Sequence, residues 1–123
     1  MGKPGNTGFR RIFRAARYSS QGLKHAWRHE AAFRQEVGIT VILVPAALWL
    51  GTTPLERWLL IASCGLVLMV ELLNCAVEAT VDRFGGERHE LSGRAKDLGS
   101  AAVFLSLAIV LATWGTVAWQ RFA

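Results

Sequence analysis

The stretch 58-WLLIASCGLVLMVELLNCAVEATVDR-83 decides how this chain is read. It opens with the composition of a membrane span. With no turn residue to mark a change, Glu71, Asn74 and Glu78 then follow. At roughly 100° per residue, Glu71 and Glu78 differ by about 20° and stack on one helix face, about 10 Å apart. Asn74 lies about 60° to one side, between them in height. The apolar helix therefore carries a polar stripe, and the stripe has a cost. The Leu, Ile and Val residues between Trp58 and Thr80 contribute roughly −3 to −6 kcal/mol on an insertion scale. One charged group near the centre of a span costs about 2.5–3.5 kcal/mol. Intramembrane ionisable groups held at such a cost are functional-site candidates.

Outward from that helix, the composition divides into blocks. The 123 residues allow one small domain, 52% of them are hydrophobic, and the net charge is +5. A soluble domain of this size has too little interior to hide so much apolar surface. Lys3, Arg10, Arg11, Arg14, Arg17, Lys24, Arg28 and Arg34 crowd the first third of the chain, and residues 37–56 contain no basic residue. Separate basic and apolar blocks favour a membrane protein over a nucleic-acid binder, so no nucleic-acid partner is expected.

The spacing predicts an all-α integral membrane domain with three transmembrane helices over 31–51, 57–81 and 98–119. Residues 51–54, Gly-Thr-Thr-Pro, form a turn that makes the first two an antiparallel hairpin. Residues 1–30 read as a cytoplasmic tail and surface helix. Within them Phe9, Ile12, Phe13 and Ala16 recur at helical spacing among arginines, the pattern of an amphipathic helix on anionic lipid. Ser19, Ser20 and Gly22 are expected to divide that helix in two. Residues 82–97 read as a polar cytoplasmic loop bent at Gly85, Gly86 and Gly93.

Twelve of the fourteen Lys and Arg residues fall in the N-terminal region and the 82–97 loop. The positive-inside rule then puts the N-terminus in the cytoplasm and the C-terminus outside. Cys64 and Cys75 are separated by roughly 16 Å of helix, too far for a disulfide within it.

The residues alone leave several uses of the stripe open. Glu78 can be solvated or paired with Arg83, and Asn74 can join helices by a hydrogen bond. Glu71 would serve equally as the proton carrier of a proton-coupled small transporter. The 82–97 loop holds Glu87, Arg88, His89, Glu90, Arg94, Lys96 and Asp97, a mixture suited to Mg²⁺ and polyphosphate or to ordinary surface ion pairs. There is no G-x-x-x-x-G-K-[ST] loop and no kinase glycine loop. A lone His89 without clustered partners gives no zinc site.

Three strings narrow the choice: 30-EAAFRQE-36, 71-ELLNCAVEATVDR-83 and 89-HELSGRAKDLGSAA-102. In this order they closely resemble the prokaryotic diacylglycerol kinase family of small integral membrane lipid kinases, over roughly residues 7–120. The segment 96-KDLGSAA-102 looks like the diacylglycerol branch rather than the undecaprenol kinases of the same fold, which remain the alternative.

The resemblance implies a homotrimer in the bacterial inner membrane, with sites shared between neighbouring subunits. The implied activity is MgATP-dependent phosphorylation of diacylglycerol to phosphatidic acid, without either standard ATP-binding fold. Glu71 would be the general base, and Glu30 and Glu78 would hold Mg²⁺. Asn74, Glu87, Arg88, His89, Lys96 and Asp97 would meet the nucleotide, with Arg11 and Tyr18 contributing from the surface helix. Glu36, Ser100 and Trp114 would lie toward the lipid substrate. Arg88 stands where the resemblance leads one to expect an aromatic residue.

Overall fold

The computed structural model describes residues 8–85 and 89–123. Glu87 and Arg88 lie outside the described residues. Four helices follow one another: α1 (Phe9–His29), α2 (Ala31–Leu50), α3 (Pro54–Asp82) and α4 (Glu90–Phe122). Among them α2, α3 and α4 are long and apolar enough to cross a membrane. In the apolar stretch of α3 28% of the residues are buried, against 11% in each of the other two, which makes α3 the central helix.

The α2–α3 turn is built by capping chemistry. Thr53 accepts the Glu56 amide at 3.1 Å, Pro54 follows at the first helical position, and Glu56 Oε1 accepts both the amide and the hydroxyl of Thr52 at 2.7 Å. Gly51 is required by close approach rather than by its dihedral angles. A Cβ there would stand 2.6 Å from Arg57 Cγ and 3.0 Å from the Arg57 amide nitrogen.

The end of α2 leaves carbonyls without an intrahelical partner. Two arginines satisfy them from the other helices. Arg57 Nε donates to Leu48 O at 3.2 Å and Gly51 O at 3.1 Å. Arg121 Nη1 donates to Trp49 O at 3.0 Å and Leu50 O at 3.2 Å, with its guanidinium carbon 4.9 Å from the centre of the Trp49 ring. These are the two basic residues outside the N-terminal and 82–97 blocks, and both sit where a cation complements the helix dipole.

Near this end Ala47, Leu50, Leu60 and Val117 form the buried core, with Ile61, Trp114 and Ala118 packed against it. Antiparallel to α3, α4 aligns Trp114 with Ser63 and Gly99 with Asn74. Large apolar side chains point outward, among them Val41, Ile42, Phe104, Leu105 and Leu111, as expected where the solvent is lipid.

Two features differ from the sequence expectation. The α1 helix is not divided at Ser19–Gly22. Ser19 Oγ donates to Ala15 O at 2.8 Å, so its hydroxyl is absorbed by the helix it was expected to break. The segment read as a loop over 82–97 is helical from Glu90 onward, because His89 caps α4 by accepting the Leu91 amide on Nδ1 at 3.0 Å. The described connection keeps one bend of the expected kind, at Gly85 with φ 85°.

Candidate active site

The site begins with a contrast between buried polar groups. Among the described residues these are Ser63, Glu71 and Ser106. Both serines have a local structural role, donating to Leu60 O and Val103 O at 2.7 Å. Glu71 is 7% exposed, and no described group donates a hydrogen bond to its carboxylate. Its oxygens are not sealed off, and Asn74 Oδ1 is the one fully enclosed, unpartnered polar side-chain atom among the described residues.

The neighbours of Glu71 on the same face are already joined. Asn74 Nδ2 donates to Glu78 Oε1 at 3.0 Å, the i to i+4 pairing expected of one helix face. This fixes the Asn74 amide with its oxygen turned away from Glu78. Asn74 Oδ1 is buried and has no hydrogen-bond partner among the described residues. An orphaned acceptor costs about 1–3 kcal/mol and marks a place where a donor or a cation is wanted. Gly99 of α4 gives Asn74 its room. A Cβ at residue 99 would fall on Asn74 Oδ1 and within 3.3 Å of Cγ.

Three further carboxylates lie in the neighbourhood of Glu71: Glu36 of α2, Glu78 on the same helix face and Glu30. The break between α1 and α2 falls at Glu30, which opens onto a cavity of about 450 Å³. From α1 that cavity is lined by Ser19, Leu23 and His25, and from α3 by Leu72, Cys75 and Ala76. At the end of α3, Asp82 Oδ1 lies 2.9 Å from Lys96 Nζ, an exposed pair that ties α3 to the start of α4. The geometry thus gathers acidic groups, an unpartnered amide oxygen and a lysine along one half of the central helix.

The other residues singled out in the sequence are placed as follows. Ser100 and Asp97 are exposed on α4 near Gly99, and Glu36 is half-buried on α2. His89 spends Nδ1 on the α4 cap. Arg11 and Tyr18 are exposed on α1; at 1.5 Å per residue they lie about 28 and 18 Å along the helix from Glu30. Trp114 donates its indole N–H to Ser63 Oγ at 3.2 Å, toward the opposite end of the bundle from Gly99. Trp114→Phe is expected to cost about 0.5–1.5 kcal/mol of stability by removing that bond. Thermal unfolding in micelles checks it.

Asp82 and Gly99 were not singled out by sequence reasoning. Asp82 follows Glu78 by one helical step of four residues, a spacing available in the sequence. The Gly99 contact is tertiary and left no signal.

A model of the prokaryotic diacylglycerol kinase family matches residues 17–118. The diacylglycerol kinase of Escherichia coli strain K12 is 55% identical over 117 residues, covering 94% of this chain and 95% of the relative. That of Pseudomonas aeruginosa is 53% identical over 113 residues, covering 92% of each. The Haemophilus influenzae diacylglycerol kinase is 52% identical over 111 residues, covering 90% of this chain and 94% of the relative. With identity above half across nearly the full length, and three apolar helices around a buried carboxylate, the chain belongs to the prokaryotic diacylglycerol kinase family.

Proposed function

We propose that this enzyme transfers the γ-phosphoryl group of ATP to the primary hydroxyl of diacylglycerol, giving phosphatidic acid at the cytoplasmic face of the bacterial inner membrane. The observation that carries the reading is Glu71, buried and without a donor, beside the Asn74–Glu78 pair. The names of the bacterial relatives support the substrate.

In this reading the Glu71 carboxylate accepts the proton of the lipid hydroxyl as its oxygen attacks the γ-phosphorus, and the bond to the β-phosphate oxygen breaks to release ADP. An alcohol is a poor nucleophile, and a base within hydrogen-bond reach is the main chemical help the protein can give. The remainder of catalysis is positioning and charge neutralisation. Glu71 stands on a lipid-embedded helix while Glu78 and Asp82 lead toward its end. The stripe therefore joins the depth of a lipid hydroxyl to that of a soluble nucleotide.

Among the described residues no three His, Cys, Asp or Glu side chains gather closely enough to enclose a metal ion. Mg²⁺ is commonly held by one or two carboxylates with substrate phosphates completing the shell. The donor set fits it: Glu30 and Glu78 offer hard carboxylate oxygens, Glu78 Oε1 already holding the Asn74 amide. Bound there, Mg²⁺ would neutralise the charge of the phosphates. Lys96, held by a surface pair that is inexpensive to break, is available to phosphate.

The reading includes a homotrimer with shared sites. Its support is the resemblance, which assigns Arg11 and Tyr18 to the nucleotide site although they lie about 28 and 18 Å along α1 from Glu30. With Phe9, Ile12 and Phe13 exposed beside arginines, α1 fits an amphipathic helix on the membrane surface. Orientation follows the positive-inside rule, with the N-terminus cytoplasmic and the C-terminus outside.

Purified protein in mixed micelles with diacylglycerol, Mg²⁺ and γ-labelled ATP is expected to place label in phosphatidic acid. No label in any lipid, together with proton-coupled flux in liposomes, would replace the kinase by a transporter. Glu78→Gln and Glu30→Gln are each expected to raise the Mg²⁺ requirement while assembly is kept. A normal Mg²⁺ titration in either variant removes that residue from the metal site.

A further inference from the structure

Glu30 is a single residue of extended backbone, φ −115° and ψ 103°, between two helices. Its amide donates to Ala26 O at 2.9 Å and its carbonyl accepts the Arg34 amide at 3.2 Å, so it ends α1 and begins α2 at once. The buried side chains at this joint are few: Ala26 in the last turn of α1 and Phe33 in the first turn of α2. The one buried residue of α1 is Ala26, and the start of α2 has no side-chain cap.

Arg34 bridges the joint. From one turn inside α2, its Nη1 donates to Trp27 O at 2.8 Å and Arg28 O at 3.2 Å, carbonyls of the last turn of α1. A cation at that place complements the end of the α1 dipole. Both bonds come from one nitrogen, whose two N–H groups the planar guanidinium holds in fixed directions, whereas an ammonium behaves as a freely rotating point charge.

We propose that Arg34 is a positioning residue: by fastening the end of α1 to the start of α2, it fixes the joint and with it the place of the Glu30 carboxylate against α3. The functional half of this inference rests on the reading of Glu30 as a metal carboxylate; the mechanical half does not. It also explains how an acidic residue at a one-residue break can serve as a ligand. Its backbone is held from both sides, and the cavity it shares with Cys75 keeps a defined shape.

The test uses full-length protein with Cys64 and Cys75 replaced by Ala. Spin labels are placed through Arg14→Cys on α1 and Val41→Cys on α2, and labelled subunits are diluted with unlabelled ones. The distance distribution without nucleotide or metal is expected to broaden in Arg34→Ala and to be intermediate in Arg34→Lys. A control pair, Val41→Cys with Met69→Cys between α2 and α3, is expected not to change.

In the unlabelled enzyme, Arg34→Ala should raise the half-saturating Mg²⁺ concentration about three- to tenfold, the scale of one net hydrogen bond. The same change made in Glu30→Gln should add little, because the two act through one carboxylate. An unchanged α1–α2 distribution overturns the clamp. Additive Mg²⁺ effects, or a change confined to the KM for diacylglycerol, overturn the positioning of Glu30. Should Arg34→Ala fail to assemble, Arg34→Lys and Arg34→Gln carry the same comparisons. A wild-type protein without kinase activity would sink the function instead, and the distance measurement would still decide the clamp.

Discussion

Glu71→Gln is expected to lower kcat by about 10²–10⁴, the range for loss of a general base, with nucleotide binding little changed. The substitution keeps the size of the side chain and removes only the basic carboxylate. No described group donates to Glu71, so the change breaks no visible hydrogen bond. A neutral amide is also less costly in a lipid-facing helix than a carboxylate. The variant should therefore insert and unfold like the parent protein. Low turnover with an unchanged thermal transition supports the base; turnover near that of the parent removes Glu71 from the chemistry.

The second large effect is expected at Gly99. Alanine there would put a Cβ onto Asn74 Oδ1, and the amide would have to rotate away from Glu78. Misplacing a positioning group by about 1 Å can cost on the order of 10² in rate. Overpacking at a helix contact typically costs about 1–3 kcal/mol as well. Gly99→Ala is thus expected to lose about 10- to 100-fold in kcat/KM and to melt earlier. Gly93→Ala is the control, since nothing stands within 4 Å of a Cβ there; activity should be kept. Full activity in Gly99→Ala would show that the Asn74 amide can move without consequence.

The helices that can cross a membrane were legible because hydrophobic runs report burial in lipid directly. So was the polar face of α3: Glu71, Asn74 and Glu78 share one side by arithmetic, and the Asn74–Glu78 bond realises it. What escaped was decided by single hydrogen bonds. Ser19 looked like a helix breaker until its hydroxyl found Ala15 O. The start of α4 looked like loop because the cap is a histidine, which is not among the usual capping residues. Tertiary partners escaped too. Nothing in the spacing tells that Gly99 lies against Asn74, that Asp82 pairs with Lys96, or that Arg57 and Arg121 close the end of α2. Helical periodicity gives faces, and it does not say which face meets which.

The acceptor is the central claim, and a competition tests it most directly. Purified enzyme, Mg²⁺ and γ-labelled ATP are given diacylglycerol and undecaprenol together in mixed micelles, and the labelled lipids are separated. The expected result is label chiefly in phosphatidic acid, with none when either ATP or the metal is withheld. Label chiefly in undecaprenyl phosphate would contradict the assignment.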